Sequence, residues 1–453
     1  MSKLFYSMPC LSSSREFHKL EIYQDFFDKK VDKRYLEVAV RRFIELNQTM
    51  LDFLGIKVVT QGAGEGLTIA FQTSNYIGAI PLKMPYDGIA RKDFQVLPRF
   101  DLGKNVFADL TQILAKLEFS ISPEFADQPL CSPMQLKPPV YTEAVKYLDL
   151  FEAAYRYTWR KFDTRRHDYA YPKASTDWQK YSLTSSDPRK ALVFPARDSF
   201  LTTDHLEWRK LRYVFDLARE ILLSADTPAE IRYRYLTKIN NLTRQVANIQ
   251  PQFTKEVQLR AHDPKCITEA KQQANVVLKN GSTQSNAWRM DMAELFERYV
   301  QTIAAQAARE LSGKVFANGK IHGSGHIPSW GLKYLEPDIT IRIGERLYMA
   351  DAKYKANYYA RLNESEILKE THRADLHQIL AYCSFEPQNT DKTGILFYPA
   401  NETSYRVIDY SADRLGGLAN RVVICGLAFG LKAMDQAPQQ VKQLLQAEVV
   451  DEV

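Results

Sequence analysis

Residues Tyr334–Lys353 read YLEPDITIRIGERLYMADAK. Ile339, Ile341 and Ile343 alternate with Thr340 and Arg342, the pattern of a strand with one buried face. Gly344-Glu345 reads as a turn. In the run that follows, Leu347 and Met349 take one face and Tyr348, Ala350 and Ala352 the other. Both faces are apolar, which predicts a strand inside a sheet. Asp338 stands at the head of the first strand, and Asp351 and Lys353 near the end of the second. Strand side chains alternate, so Asp351 and Lys353 share a face, and Asp338 can meet them across the hairpin. Charges at the end of a buried strand cost desolvation free energy unless something pairs with them. Two carboxylates able to share a divalent cation, with an ammonium beside them, suit phosphodiester hydrolysis. A structural Asp–Lys pair accounts for these residues equally well when they are taken alone.

Flanking segments add chemistry in a fixed order. Asp291–Leu311, DMAELFERYVQTIAAQAAREL, predicts a helix: Met292, Leu295, Phe296, Tyr299, Ile303, Ala307 and Leu311 fall near helical spacing, and Asp291 sits at or near the N-cap. Glu294 is a further carboxylate that this helix can bring to a metal, with Glu297 as the fallback; either also fits a solvated helix face. Downstream, ADLHQILAYCSF predicts another helix on which Gln378 and Tyr382, four apart, share a face. An amide and a phenol there can orient the lysine or contact phosphate. Gly394–Tyr398, GILFY, predicts a further core strand.

This order of helix, strand, strand, helix and strand resembles the PD-(D/E)xK nuclease fold, including a literal Pro337-Asp338 and the Gln-x-x-x-Tyr extension of the RecB-like branch. The segments DMAELFERYV, EPDITIR, ADAKYK, LHQILAY and GILFYP are similar to the C-terminal half of the McrC family, the nuclease subunit of the McrBC modified-cytosine restriction system. KALVFPARDSFLTTDHLEWRKLRYVFDLA is a weaker echo of that family's middle segment, and Ile77–Leu82 a fainter one of its N-terminal domain. The resemblance implies that Asp338 and Asp351 bind Mg²⁺ (or Mn²⁺ as a substitute), with the Ala352 carbonyl adding an oxygen ligand and Glu294 a third carboxylate. It implies that Lys353 orients or helps deprotonate the attacking water and stabilises charge on the phosphate. It also implies double-stranded DNA as substrate and a separate McrB-like AAA+ GTPase ring as partner, whose hydrolysis this chain stimulates.

Bulk properties are less specific. A chain of 453 residues predicts two or three domains. The expected architecture is α+β and multidomain. It comprises a small N-terminal α+β module over 1–120 as the contact for the partner motor, a mostly helical middle region over 121–284 as a candidate DNA contact, and an α/β PD-(D/E)xK nuclease domain with a mixed central sheet over 285–453. A net charge of +6 permits nucleic-acid binding without establishing it. The middle is locally basic: Arg160, Lys161, Arg165, Arg166, Lys173 and Lys180 interleave with Tyr155, Tyr157, Trp159, Tyr169, Tyr171 and Trp178. Such a mixture suits phosphate contacts and base stacking, and equally an amphipathic helix followed by a loop. Five scattered cysteines without a Cys-x-x-Cys pair fit reduced thiols in a cytoplasm. No signal pattern opens the sequence, and its most apolar stretch, Val422–Leu431, is too short to span a bilayer.

Two motifs carry no special chemistry. Gly62-Ala-Gly64-Glu-Gly66 lacks the Gly-Lys-Ser/Thr of a phosphate-binding loop and reads as a turn before a strand. His322 and His326 have ligand-like spacing, but in a glycine-rich segment with no cysteine near, so zinc is disfavoured. Arg91, Lys92 and Arg99 fall in a stretch that can protrude toward a partner, although ordinary surface positions explain them better. Two other functional readings stay open in the sequence: a non-catalytic DNA-binding adaptor that regulates the AAA+ partner, and a stand-alone nuclease.

Overall fold

The computed structural model describes residues 4–99, 106–119, 121–131, 139–280, 286–323, 329, 331–355, 366–384, 391–410 and 420–446. The chain forms two compact units, one of Met1–Pro139 with Gln284–Val453 and one of Val140–Thr283. The sequence-based segments 1–120 and 285–453 therefore belong to a single unit. The physical reason is strand pairing. A five-stranded sheet contains β1 (Leu4–Pro9), β2 (Tyr76–Lys83), β3 (Ala90–Leu97), β4 (Glu124–Pro129) and β5 (Asn286–Asp291) in the order β1-β3-β2-β5-β4. The strand β5 inserts between β2 and β4, antiparallel to both. Gly78 makes the insertion possible: its φ is +144°, and a Cβ there would lie 2.1 Å from the Trp288 carbonyl oxygen.

The second sheet of this unit is mixed. Its strands are β6 (Lys314–Ala317), β7 (Ile339–Ile343), β8 (Arg346–Ala352), β9 (Asp391–Ala400), β10 (Ser404–Tyr410) and β11 (Asn420–Ala428), ordered β6-β7-β8-β9-β11-β10. The β7–β8 hairpin turns at Gly344-Glu345, and β8 pairs in parallel with β9. Parallel pairing needs a crossover, supplied in sequence by α3 below. The most apolar stretch, Val422–Leu431, contributes to strand β11.

Helices α1 (Leu36–Leu54), α2 (Met292–Glu310), α3 (Glu366–Cys383) and α4 (Ala433–Gln446) cover the sheets. Asp291 caps α2, its carboxylate accepting from the amides of Ala293 at 2.7 Å and Glu294 at 3.4 Å. Leu295, Phe296, Tyr299 and Ile303 form its fully buried stripe, each contributing about 1.5–3 kcal/mol by burial. Helix α3 packs on the face of β8 and β9 that carries Leu347, Met349 and Leu396, through Ile379, Tyr382 and Cys383. Gly394 brings α3 close, because a Cβ at that position would fall 2.8 Å from Ile379 Cγ1.

The second unit holds helices Tyr141–Arg156, Leu206–Leu223, Ala229–Gln245 and Lys265–Asn280. Phe151 stacks on Phe215 at 5.0 Å and meets Trp208 edge-on at 5.6 Å. Lys271, wholly buried, is paired with Glu207 and Asp263. In the basic and aromatic stretch the alternative of a helix followed by a loop does not hold after Tyr157: Lys161–Tyr169 is a strand paired over nine positions with Phe194–Thr202. Its charge is also partly neutralised. Lys161 pairs with Glu207 and Lys173 with Asp198, while Trp159 is buried rather than presented for stacking.

Candidate active site

The register of β7 on β8, with Ile339 opposite Ala350, puts Asp338 opposite Asp351. Asp338 Oδ2 accepts from the Ala352 amide at 2.7 Å. That bond joins the head of β7 to the end of β8. The Lys353 amide then donates to the Phe397 carbonyl at 2.8 Å, carrying the ladder toward β9 one residue past the strand end. Lys353 is thereby held on the same face as Asp351, with its ammonium in an ion pair to Asp351 Oδ2. Tyr354 takes the opposite face and is buried against Phe296 and Phe429.

Asp351 is 1 % exposed. Its Oδ2 has the lysine as ion-pair partner but no well-directed hydrogen bond. Asp338 feels this neighbour. Burial first, then the Asp351 charge, with Glu297 adding, push its carboxyl up to about 8, against the pull of the Ala352 amide. Burial draws the Lys353 ammonium down, but the Asp351 charge and contact, aided by Asp338 and Asp375, outweigh it and leave a net upward shift. Lys353 is therefore a cation in this arrangement, suited to stabilising negative charge rather than to taking a proton.

The helix α3 supplies the expected pair. Lys353 Nζ donates to Gln378 Oε1 at 3.0 Å, Gln378 Nε2 donates to the Tyr382 hydroxyl at 2.7 Å, and that hydroxyl donates to the Glu336 carbonyl at 3.3 Å. Burial raises the Tyr382 phenol and the hydrogen bond from Gln378 partly opposes it, while Asp351 and Asp338 push the same way as burial. It stays protonated and can serve as donor at the end of the relay.

The helix α2 presents its carboxylates differently from the first expectation. Glu294 is 47 % exposed at its side chain and faces Arg298 at 3.6 Å. It is Glu297 whose charge reaches Asp338. Its Oε1 accepts from Gln301 at 3.0 Å and Asn318 at 2.9 Å. Gln301 and Asn318 in turn donate to the Asp338 carbonyl, at 3.1 and 3.0 Å. This network docks α2 on the head of β7, and sequence periodicity did not reveal it. The one available sign was Gln301, a polar residue inside the apolar stripe of α2 and four positions from Glu297.

A second pair escaped notice. Lys355 Nζ contacts both oxygens of Asp375, at 2.8 and 2.6 Å, and the Tyr398 hydroxyl donates to Asp375 at 3.0 Å. Asp375 lies one helical turn before Gln378, which the spacing in ADLHQ would have shown. Arg91, Lys92 and Arg99 are tied down instead of protruding: Arg91 pairs with Asp87, Lys92 is buried against Asp28, and Arg99 donates to the Leu11 carbonyl. His326 lies outside the described residues.

Two adjoining carboxylates, Asp338 half-buried and raised by burial and by its neighbour, Asp351 buried with an oxygen lacking a directed donor, are a donor set that a hard divalent cation would satisfy. Among the described residues no group of three or more His, Cys, Asp or Glu side chains forms a ready metal cage.

No curated protein matches the chain. Two solved structures from Thermococcus gammatolerans are similar to it. One is a half-complex from a tetradecameric assembly of McrB AAA+ hexamers with bound McrC, at 14% identity and a TM-score of 0.44, covering 97% of this chain and 99% of that one. The other is the McrBC complex, at 14% identity and a TM-score of 0.29, covering 66% and 87%. A family model described as McrBC 5-methylcytosine restriction system component matches residues 183–399, a span that holds Asp338, Asp351, Lys353, Gln378 and Tyr382.

Proposed function

We propose that this chain is the Mg²⁺-dependent endonuclease subunit of a McrBC-like restriction system, with a PD-(D/E)xK nuclease domain that cleaves double-stranded DNA in the cytoplasm when activated by a separate AAA+ GTPase. The observation that carries this reading is the Asp338–Asp351 pair, with Asp351 buried and Lys353 bound to it and steadied by Gln378. Its support is the element order α2-β6-β7-β8-α3-β9 and the family match across it. A restriction system component acts with other components, which is the basis for the partner.

Asp338 and Asp351 would hold Mg²⁺, with the Ala352 carbonyl as a further oxygen and Glu297, rather than Glu294, reaching it through water. When bound, Mg²⁺ polarises a phosphoryl oxygen and acidifies a coordinated water. The chain's own residues do the rest. Lys353 places a fixed positive charge beside the phosphate, Gln378 holds the ammonium in position, and Tyr382 holds the amide. Their order costs little reorganisation at the moment of reaction.

The test is cleavage of modified and unmodified plasmid DNA with Mg²⁺, comparing wild type with Asp351→Ala, each with and without the AAA+ protein and GTP. Cleavage by wild type with the motor, lost in Asp351→Ala, is the expected result. No cleavage in any condition, with GTP hydrolysis stimulated equally by both proteins, would replace the nuclease reading with the adaptor. Cleavage by wild type without the motor would make the chain a stand-alone nuclease.

The carboxylates of α2 give a sharper prediction. Glu297→Gln is expected to weaken Mg²⁺ dependence of cleavage about tenfold or more, the usual range for a group that supports a ligand indirectly. Glu294→Gln is expected to leave it near wild type. A Mg²⁺ titration of each variant decides, and the reverse ranking would return Glu294 to the site.

A further inference from the structure

Beyond the carboxylates, the same face of the second sheet continues into an open cleft of about 470 Å³ at its β6 edge. Cross-strand partners share a face, so the pairings Lys314–Arg342 and Phe316–Thr340 place all four side chains on the side that carries Leu347 and Met349. By the same two-residue period, Asp338, Asp351 and Lys353 lie on that side too. The cleft is lined by Lys314, Lys320 and Arg342, and none of its lining residues is acidic. Phe316 stands 54 % exposed on the edge strand, and Lys320 sits over the Tyr334 ring at 4.2 Å. An apolar ring left in water on an edge strand, among cations and beside paired carboxylates, has the features of a stacking platform in a phosphate track.

We infer that this cleft binds the DNA strand that leads into the candidate active site, with Lys314, Lys320 and Arg342 on successive phosphates and Phe316 against an unstacked base. This deepens the nuclease reading and rests on it for the identity of the ligand. The scale fits: Arg342 lies four residues from Asp338, about 13 Å along a strand, or about four nucleotides at roughly 3.4 Å each. Charge complementarity selects the occupant, because a polyanion finds three cations and no carboxylate in the cleft itself.

The experiment measures equilibrium binding of a labelled oligonucleotide, single-stranded and duplex, by the full chain in EDTA across a salt series. Lys314→Ala/Lys320→Ala is expected to make the slope of log K against log salt shallower by about 1.8 for duplex, since each phosphate contact contributes about 0.9. Phe316→Ala is expected to weaken single-stranded binding about tenfold. Unchanged slope and affinity in the double variant would overturn the inference, as would absence of DNA binding by wild type. Circular dichroism confirms that the variants fold, and Lys314→Arg/Lys320→Arg should restore the slope. Failure here is distinguishable from failure of the nuclease reading. Loss of slope in a protein that never cleaves would keep the track and remove the nuclease. Normal binding and cleavage by the double variant would keep the nuclease and remove the track.

Discussion

Lys353→Ala is expected to reduce Mg²⁺-dependent DNA cleavage by about a thousandfold while leaving stimulation of the partner's GTP hydrolysis intact. Loss of one preorganised group that stabilises transition-state charge costs on the order of 10²–10³ in rate. Lys353 is preorganised in this sense, fixed at its backbone by Phe397 and at its ammonium by Asp351 and Gln378. The substitution has a second signature. Asp351 is buried, and the substitution removes its ion-pair partner. Breaking a buried pair costs about 3–5 kcal/mol, so the variant in EDTA is expected to melt about 5 °C or more below wild type. Mg²⁺ should recover much of that loss, because it supplies a replacement positive charge. Scanning calorimetry with and without Mg²⁺, beside a cleavage time course, reads both effects. Cleavage within tenfold of wild type would remove Lys353 from the chemistry. A melting temperature that Mg²⁺ leaves low would make the lysine a structural counter-ion and nothing more.

The strand and helix positions of this site were legible because local rules govern them. Two-residue alternation sets Asp351 and Lys353 on one face, and four-residue spacing sets Gln378 and Tyr382 on one side of α3; the structure joins all four through hydrogen bonds and an ion pair. The choice between Glu294 and Glu297 was not legible. Three residues separate them, both lie in the first turns of α2, and what brings the charge of Glu297 rather than Glu294 near Asp338 is Gln301 and Asn318 docking that helix on β7. Asn318 is distant in sequence from its partners, and no local pattern announces it. The hairpin of the second unit was hidden for a related reason. Lys161–Tyr169, KFDTRRHDY, has no apolar alternation, and its ladder comes from Phe194–Thr202. Likewise β5 looks like a lead-in to α2, yet its hydrogen bonds go to β2, some two hundred residues earlier. Local periodicity reads elements and faces; it does not read which distant strand completes a sheet.

Asp338→Asn is expected to make the metal-free protein more stable at neutral pH while removing cleavage. The folded-state carboxyl of Asp338 is raised to about 8 from an ordinary value of 3.8. Below about pH 4 it is protonated in both folded and unfolded chains and contributes nothing to the difference. As pH rises from about 4 to about 8, the unfolded chain gives up the proton while the folded one retains it, so folding stability falls across that window and levels off above it. Partial solvent access screens the effect, leaving a penalty of about 2 kcal/mol at pH 8. Asparagine avoids it, and its side-chain oxygen can still accept from the Ala352 amide that now reaches Asp338 Oδ2. In EDTA the variant should therefore match wild type near pH 4 and melt above it at pH 8. Adding Mg²⁺ should reverse that order, because wild type gains a bound cation and Asp338→Asn gains little. Parallel melting curves with and without Mg²⁺ at the two pH values provide the test. A wild type that loses no stability relative to the variant between pH 4 and 8 would mean that neither burial nor the Asp351 charge raises the Asp338 carboxyl, and the argument for a shared cation would lose its electrostatic basis.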